Sequence, residues 1–143
     1  MEGPILVPVD GSEPARRALG FAISLSKASG RPLEVVTVID AIHYDAGHPA
    51  GLAFYKDVEV FLKEGATKIL DEVEPQLKES GITFSSKVLW GPVLRSLLEE
   101  CKQSEASQLV VGRTGKGFFG RIMEGSISRG LATHAEVPST IVP

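Results

Sequence analysis

Apolar residues along the chain gather into five short runs, and stretches of mixed apolar and polar residues separate these runs. Near-continuous apolar runs are typical of strands that are buried on both faces of a parallel sheet. In the longer stretches between them, apolar residues recur at the spacing of amphipathic helices. The runs span residues 5–10, 33–40, 82–90, 108–111 and 140–142.

The alternation of five strands with four helices predicts an α/β fold. Because parallel strands require crossover connections of one hand, we expect a doubly wound, five-stranded parallel sheet with helices on both faces. The expected arrangement is Rossmann-like, with strand order 3-2-1-4-5. No change of composition and no linker divides the chain, so the sequence predicts a single domain over residues 1–143.

Local signals mark where the helices begin and end. Ser12 is a good N-cap for the first helix, and Gly30 is expected to stop it. A long second helix begins near Phe54. Pro75 is expected to kink that helix or to end it early; otherwise Gly81 ends it.

Three loops follow the carboxyl ends of predicted strands, after Asp10, Asp40 and Val111. In open parallel sheets, ligands bind beyond this edge, at the point where the strand order reverses. The sequence therefore predicts a ligand site that is built from these loops.

The third of these loops is rich in glycine and contains several cations. A Walker-type phosphate loop is excluded, because Gly117 follows Lys116 and Val110 stands where the first glycine is required. The pattern Gly-x-Gly-x-x-Gly of residues 115–120 matches a dinucleotide fingerprint. However, no acidic residue lies on a strand about 20 residues further along, as that fingerprint requires.

A wider spacing is more specific. Gly112, Gly115 and the pair Gly125-Ser126 form the pattern Gly-x2-Gly-x9-Gly-Ser after the fourth strand. This pattern resembles the ATP-binding subgroup of the universal stress protein family. Residues 7–12, 36–40 and 134–138 also resemble that family, respectively its opening strand and turn, its second strand and its closing segment. The resemblance covers essentially the whole chain.

The resemblance implies an ATP-binding stress-response protein that acts as a nucleotide-dependent signalling module, with Mg²⁺ bound through the phosphates. It also implies a homodimer that pairs through the C-terminal strand. By resemblance, the first two strands flank the adenine and ribose, and the glycine-rich loop holds the phosphates. The implied binding residues are Pro8, Val9, Asp10, Val38, Val111, Gly112, Arg113, Gly115, Lys116, Gly125, Ser126, Ile127 and Ser128.

These residue types suit the chemistry of a phosphate site. Gly112 and Gly115 are expected to adopt positive φ and to expose backbone N–H groups to phosphate. Gly125-Ser126 is expected to start the helix that runs to about His134, with its free N–H groups and positive dipole end facing the same anion. Ser126 can bind phosphate or cap its own helix, and Ser128 adds a second hydroxyl.

Structural interpretations compete with these assignments. The glycines can shape a surface loop, and Asp10 can serve only to hold the turn at Gly11-Ser12. Arg113, Lys116 and Arg121 can each point to water. Glu124 departs from the family pattern, and a negative charge beside the phosphates would weaken ATP binding unless it points away.

Two other functions compete with an ATP-dependent signalling module. A slow ATPase would need a group that orients water, and Asp10 and Glu124 are the only nearby acids. A nucleotide-free dimeric scaffold, or chaperone-like protein, would use the fold without the site. No catalytic residue and no protein metal ligand is predicted.

Composition changes this interpretation little. The 15 basic and 18 acidic residues give a net charge of −3, which offers no reason to expect nucleic acid or an anionic membrane as partner. Cys101 is the one cysteine, and its place on an apolar stripe predicts a buried, inert thiol. No signal peptide and no membrane-spanning run of about 18 apolar residues is visible, so a cytoplasmic protein is expected.

Overall fold

The structure, a computed structural model, describes residues 2–40, 51–113 and 126–143. Within these ranges the chain alternates strands and helices throughout. The strands are β1 (Ile5–Pro8), β2 (Leu33–Ile39), β3 (Phe84–Trp90), β4 (Gln108–Gly112) and β5 (Ser139–Val142). The helices are α1 (Glu13–Ser29), α2 (Gly51–Ser80), α3 (Val93–Gln103) and α4 (Ser126–His134).

In the described part of the chain, the five strands form one parallel sheet in the order β3-β2-β1-β4-β5. The predicted fold class and strand order are therefore confirmed. β1 lies at the centre, where Ile5 pairs with Leu33 of β2 on one side and with Gln108 of β4 on the other. Every residue of β1 and β2 is buried, as expected for central strands of a sheet covered on both faces.

Two apolar layers hold the helices against the sheet. Alternate residues of β1 and β2, such as Val7 and Val35, pack with Leu19 of α1 and Leu77 of α2 on one face. The residues between them point the other way, because successive strand side chains alternate between faces. On that second face, Leu6, Val36 and Val38 pack with Leu97 of α3 and Leu131 of α4.

The helix-end signals of α1 have the predicted effect. Ser12 is the N-cap, and its hydroxyl oxygen accepts a hydrogen bond from the backbone N–H of Ala15 at 3.3 Å. At the other end, the backbone N–H of Gly30 donates to the carbonyl of Ser26 at 2.8 Å. These two caps fix the ends of α1, which therefore begins directly after the turn that follows β1.

Pro75 does not end α2, which continues through it to Ser80. Pro75 lies on the exposed side of the helix. The carbonyl of Asp71, which loses its N–H partner because proline has none, belongs to an exposed residue and is open to water. Of the two expected ends of this helix, the later one, at Gly81, is therefore correct.

Candidate functional site

The strand order reverses between β1 and β4, and this reversal creates a crevice at the carboxyl edge of the sheet. From β1 the chain enters α1, which packs on one face. α4, which comes after β4 in the chain, packs on the other face. The connections thus leave the sheet on opposite sides of the crevice. This geometry is that of the ligand site in doubly wound folds.

The turn after β1 forms one wall of the crevice. The backbone N–H of Val9 donates to the carbonyl of Val36 at 2.8 Å, so the chain stays paired with β2 just beyond the strand. Asp10 is buried, and its Oδ1 accepts a hydrogen bond from the N–H of Ser12 at 2.9 Å. Gly11 has a φ of +81°, which only glycine adopts readily. Asp10 therefore has the turn role that competed with a ribose role.

Gly112 forms the end of β4, and its conformation differs from the one expected. It pairs with Val142 in the parallel ladder, and it is not among the described glycines with positive φ. The prediction of positive φ at Gly112 is therefore wrong, because ladder pairing requires extended backbone. A Cβ at this position would lie 2.7 Å from the carbonyl carbon and 2.8 Å from the carbonyl oxygen of Pro14. Glycine is needed here because β4 and the first turn of α1 are in close contact.

The first turn of α4 lies at the end of β4. The hydroxyl of Ser128, which is only 9% exposed, donates to the carbonyl of Arg113 at 3.2 Å. The backbone N–H of Arg113 donates to the carbonyl of Val142 at 2.8 Å, and its side chain is exposed. The first N–H groups of a helix have no partner within the helix, and they carry the positive end of its dipole. The start of α4 therefore brings anion-binding capacity to the carboxyl edge.

The apolar residues predicted to surround the base divide between the two faces of the sheet. Val38 and Val111 are buried in one layer, and Ile127 packs against that same layer. Val9 belongs to the opposite layer, with α1 and α2. Pro8 is buried in β1, where it pairs with Val36. Side chains alternate between the two faces along a strand, and those of Val9 and Val38 point to opposite faces of the sheet. They therefore do not form one apolar surface.

Part of the predicted phosphate site falls outside the described residues. Gly115, Lys116 and Gly125 lie there, and so do Arg121 and Glu124. Ser126 is the first residue of α4. The described structure therefore positions the two sides of the predicted phosphate loop, the end of β4 and the start of α4.

Sequence reasoning missed a buried group of charges at the other end of the sheet. Glu34 of β2, which is 7% exposed, and Glu100 of α3, which is 4% exposed, lie on the α3 face together with Lys87 of β3. The signal was present in the sequence, since Glu34 is the one charged residue in the apolar run of β2. Cys101 lies beside them, and burial with the two carboxyl groups raises its pKa to about 11. The prediction of a buried, inert thiol is confirmed.

The described ranges contain neither a membrane-spanning helix nor a cluster of metal-binding side chains. No helix there is long and apolar enough to cross a bilayer. No group of three or more His, Cys, Asp or Glu side chains there is arranged to hold a metal ion.

The fold defines a doubly wound α/β protein with a crevice at the switch point of its sheet. The universal stress protein family matches residues 1–143, and the chain belongs to this family. A universal stress protein of Methanocaldococcus jannaschii is 27% identical over 138 residues, which cover 96% of this chain and 80% of the relative.

Solved structures of the family have the same fold. The universal stress protein UspA from Lactobacillus plantarum superposes with a TM-score of 0.81 at 22% identity, over 99% of this chain and 98% of that one. A universal stress protein in complex with cAMP has a TM-score of 0.71 at 25% identity, over 100% of this chain and 99% of that one. The Archaeoglobus fulgidus protein in complex with dAMP has a TM-score of 0.71 at 21% identity, over the full length of both chains.

Proposed function

We propose that this chain is an ATP-binding stress-response protein that acts as a nucleotide-dependent signalling module. The observation that carries the proposal is the hydrogen bond from Ser128 to the carbonyl of Arg113. It holds the start of α4 beside the end of β4, next to the switch point of the sheet. A helix N-terminus in this position favours a phosphate group, because unpaired N–H groups and the helix dipole act together.

The phosphates are assigned to the segment between β4 and α4. There Gly115, Lys116, Gly125 and Ser126 would supply backbone N–H groups and positive charge. Ile127 and Ser128 would contribute main-chain N–H groups of the first helical turn. The hydroxyl proton of Ser128 is already donated to Arg113, so its backbone is the better phosphate ligand. The exposed Arg113 side chain can reach the same anion.

The adenosine is assigned to the strand ends on the other side of the crevice. Val38 and Val111 belong to one apolar layer and would border the adenine. Pro8 and Val9 would contact the nucleotide through their main chain, because the side chain of Val9 is buried against α1 and α2. Asp10 would accept a ribose hydroxyl in addition to the turn hydrogen bond that it already makes.

The groups at the carboxyl edge of the sheet suit the proposed ligand. Main-chain donors and a helix N-terminus bind phosphate oxygens, whereas a bare cation needs clustered carboxylates. Mg²⁺ would therefore be held through the phosphates of ATP. The relatives solved with cAMP and dAMP support adenine nucleotides as the ligand class.

Mass analysis of the ligand released from freshly purified protein, followed by calorimetric titration with MgATP, tests the proposal. We expect an adenine nucleotide in the released fraction. Gly125→Val should weaken ATP binding by at least tenfold. Gly65→Val is the matched control, because Gly65 is exposed on α2 and nothing lies within 4 Å of the position that a Cβ would take there. Gly112 is unsuitable for this purpose, since a Cβ there would collide with Pro14.

The outcomes separate the alternative functions. Absence of binding at millimolar ATP would contradict the proposal and favour a nucleotide-free scaffold. Equal affinity in the Gly125→Val protein would contradict the assignment of the phosphate site. Steady ATP turnover that Glu124→Gln abolishes would favour the ATPase instead of a signalling module.

We further propose that the protein is a cytoplasmic homodimer that pairs through β5. In the described part of the chain, β5 lies at the edge of the sheet and has a neighbouring strand on one side only. Ile141 on this strand is 39% exposed, although it is a large apolar residue. An open strand edge with an exposed apolar side chain is suited to pairing with a second copy of the same strand.

A further inference from the structure

The group formed by Glu34, Lys87 and Glu100 joins three elements at the end of the sheet that lies away from the crevice. Lys87 Nζ lies 2.7 Å from Glu100 Oε1. The Lys87 side chain is half exposed, whereas the Glu100 side chain is 5% exposed. The buried Glu34 carboxyl lies within hydrogen-bonding reach of the Glu100 carboxyl. The three side chains thus connect α3 to β2 and β3.

The hydrogen bond between Glu34 and Glu100 requires a proton. Two ionised carboxylates have acceptors only, so one of the two must be protonated for the bond to form. Glu100 is the better anion, because it also accepts a hydrogen bond from the Lys87 ammonium group. In this arrangement Glu34 keeps the proton, and its carboxyl O–H donates a hydrogen bond to the Glu100 carboxylate.

Among the residues that the structure describes, Lys87 is the one cation that acts on Glu34. Its neighbours in the strand ladder, Leu6 of β1 and Ser85 of β3, are uncharged. The charged or titratable groups that face it are Lys87 from β3 and, from α3, Glu100 and the thiol of Cys101. The hydroxyl of Ser104, just beyond α3, also lies near Glu34, but it donates its hydrogen bond to the backbone carbonyl of Glu100 at 2.9 Å. If Glu34 ionises, two buried carboxylates therefore share a single lysine.

We propose that Glu34, Lys87 and Glu100 form a proton-dependent lock that fastens α3 to the sheet. With the proton on Glu34, the three groups are linked and carry no net charge. When that proton passes to solvent, the hydrogen bond between the carboxyl groups is lost and their charges repel. α3 is then held less tightly. The lock lies away from the nucleotide crevice and does not depend on the proposed function.

The pKa values of the two carboxyl groups move apart in the direction that this arrangement requires. Burial raises the pKa of Glu34 from 4.5 to about 7, and the hydrogen bond with Glu100 adds to the effect. Burial would also raise the pKa of Glu100, but the hydrogen bonds from Glu34 and Lys87 outweigh it, and that pKa is lowered. Two coupled carboxyl groups whose pKa values separate in this way share one proton.

The sign of the stability change follows from these directions. Glu34 binds its proton more tightly in the folded chain, so its contribution to stability is complete below its unfolded pKa of 4.5 and is lost as the pH rises through about 7. With one proton at stake, the folding equilibrium constant should fall by up to about tenfold per pH unit in this window. The lowered pKa of Glu100 acts oppositely, and its contribution is lost only on acidification.

Denaturant unfolding of the full chain between pH 5 and pH 8 tests the lock. Glu34→Gln replaces the protonated carboxyl with a neutral donor. This variant should come nearest to the wild type at pH 5, exceed it by a growing margin as the pH rises to 8, and lose the pH dependence attributed to Glu34. Glu99→Gln is the matched control, since Glu99 is an exposed neighbour on α3 that pairs with Arg95 at 3.0 Å. It should keep the wild-type pH dependence.

Two further measurements keep the test decisive if Glu34→Gln fails to fold. Lys87→Met removes the cation that favours ionised Glu34, so the loss of stability should move to higher pH. Hydrogen exchange, corrected for its intrinsic pH dependence, should show faster opening of α3 relative to α1 at pH 8 than at pH 6. The proposal would be overturned if Glu34→Gln kept the wild-type pH dependence of stability. It would also be overturned if Lys87→Met lost stability at the same pH as the wild type and hydrogen exchange of α3 relative to α1 did not change with pH.

Discussion

Gly112 illustrates how a residue that a motif singles out can be needed for a different physical reason. The motif suggests a backbone that turns toward phosphate, but Gly112 is extended and paired with Val142. Its missing side chain allows the main chain of Pro14 to approach. The residue therefore couples the end of β4 to the start of α1, and these two elements border the same crevice.

Gly112→Ala should reduce the free energy of unfolding by about 1–3 kcal/mol, because its Cβ would overlap the backbone of Pro14. Urea denaturation measures the change. Gly65→Ala provides the comparison, since Gly65 lies in α2 with open space around it, and alanine there should stabilise by up to about 1 kcal/mol. An unchanged free energy of unfolding in Gly112→Ala would show that the contact with Pro14 relaxes without cost.

Thr37 is a second residue whose surroundings matter more than its type. It lies in the middle of β2 and is fully buried, and among the described residues its hydroxyl oxygen has no hydrogen-bond partner. Because residues two apart in a strand point to the same face, Thr37 faces the same apolar layer as Val35. A buried hydroxyl without a partner costs free energy that an apolar group of similar shape does not.

Thr37→Val should therefore raise the free energy of unfolding by about 1 kcal/mol, as measured by urea denaturation. The reverse exchange on the same face, Val35→Thr, places a hydroxyl in the apolar layer and should lower it by about 1–3 kcal/mol. Destabilisation by Thr37→Val would mean that the hydroxyl has a bonding partner in solution.

At the scale of whole elements, the proposed dimer depends on β5, which lies at the edge of the sheet in the described part of the chain. The carbonyls of Pro138 and Val142 accept hydrogen bonds from Leu109 and Arg113 of the neighbouring chain segment. In a parallel ladder the bonding direction alternates, so the N–H groups of Ser139 and Ile141 point toward the open edge. These are the groups that a second copy of β5 would need.

Ile141→Pro removes one outward N–H group and leaves the ladder with β4 intact. We expect the variant to shift from dimer to monomer in light scattering after gel filtration, with a circular dichroism spectrum like that of the wild type. Ile141→Val is the control and should remain dimeric. A dimer that persists in Ile141→Pro would assign the interface to another surface.

At the scale of the molecule, a ligand at the switch point links elements from both faces of the sheet. α1 packs with one apolar layer and α4 with the other, and the crevice lies between their connections to the sheet. A nucleotide that contacts both sides binds only the folded chain. Binding should therefore increase the stability of the whole fold.

MgATP at about 100 times its Kd should stabilise the protein by about 2.7 kcal/mol. For a chain of this length, that corresponds to a rise in Tm on the order of 5–10 °C. Differential scanning calorimetry measures the shift, and Gly125→Val should abolish most of it without lowering the Tm of the free protein to the same degree. No shift with the wild type at millimolar MgATP would contradict the assignment of a nucleotide site to this crevice.

The candidate site was predictable in part. The turn at Asp10, the end of β4 and the start of α4 each follow from local signals, and topology alone brings them to one edge. That Val9 and Val38 point to opposite faces of the sheet was less predictable, because it depends on which face each strand residue turns toward the helices. Gly115, Lys116 and Gly125 remain predictions, since they lie outside the described residues.

By itself, the sequence determined the order of the elements and the class of fold, because the periods of apolar residues and the signals at helix ends are local properties of the chain. Membership of the family was likewise indicated by short segments spread along the chain. Only the tertiary structure decided why Gly112 must be glycine and that Glu34 is buried near Lys87 and Glu100. Pro14 lies far from Gly112 in sequence, and Lys87 and Glu100 lie far from Glu34. Steric contact and burial between such residues depend on distances that exist only after the chain has folded.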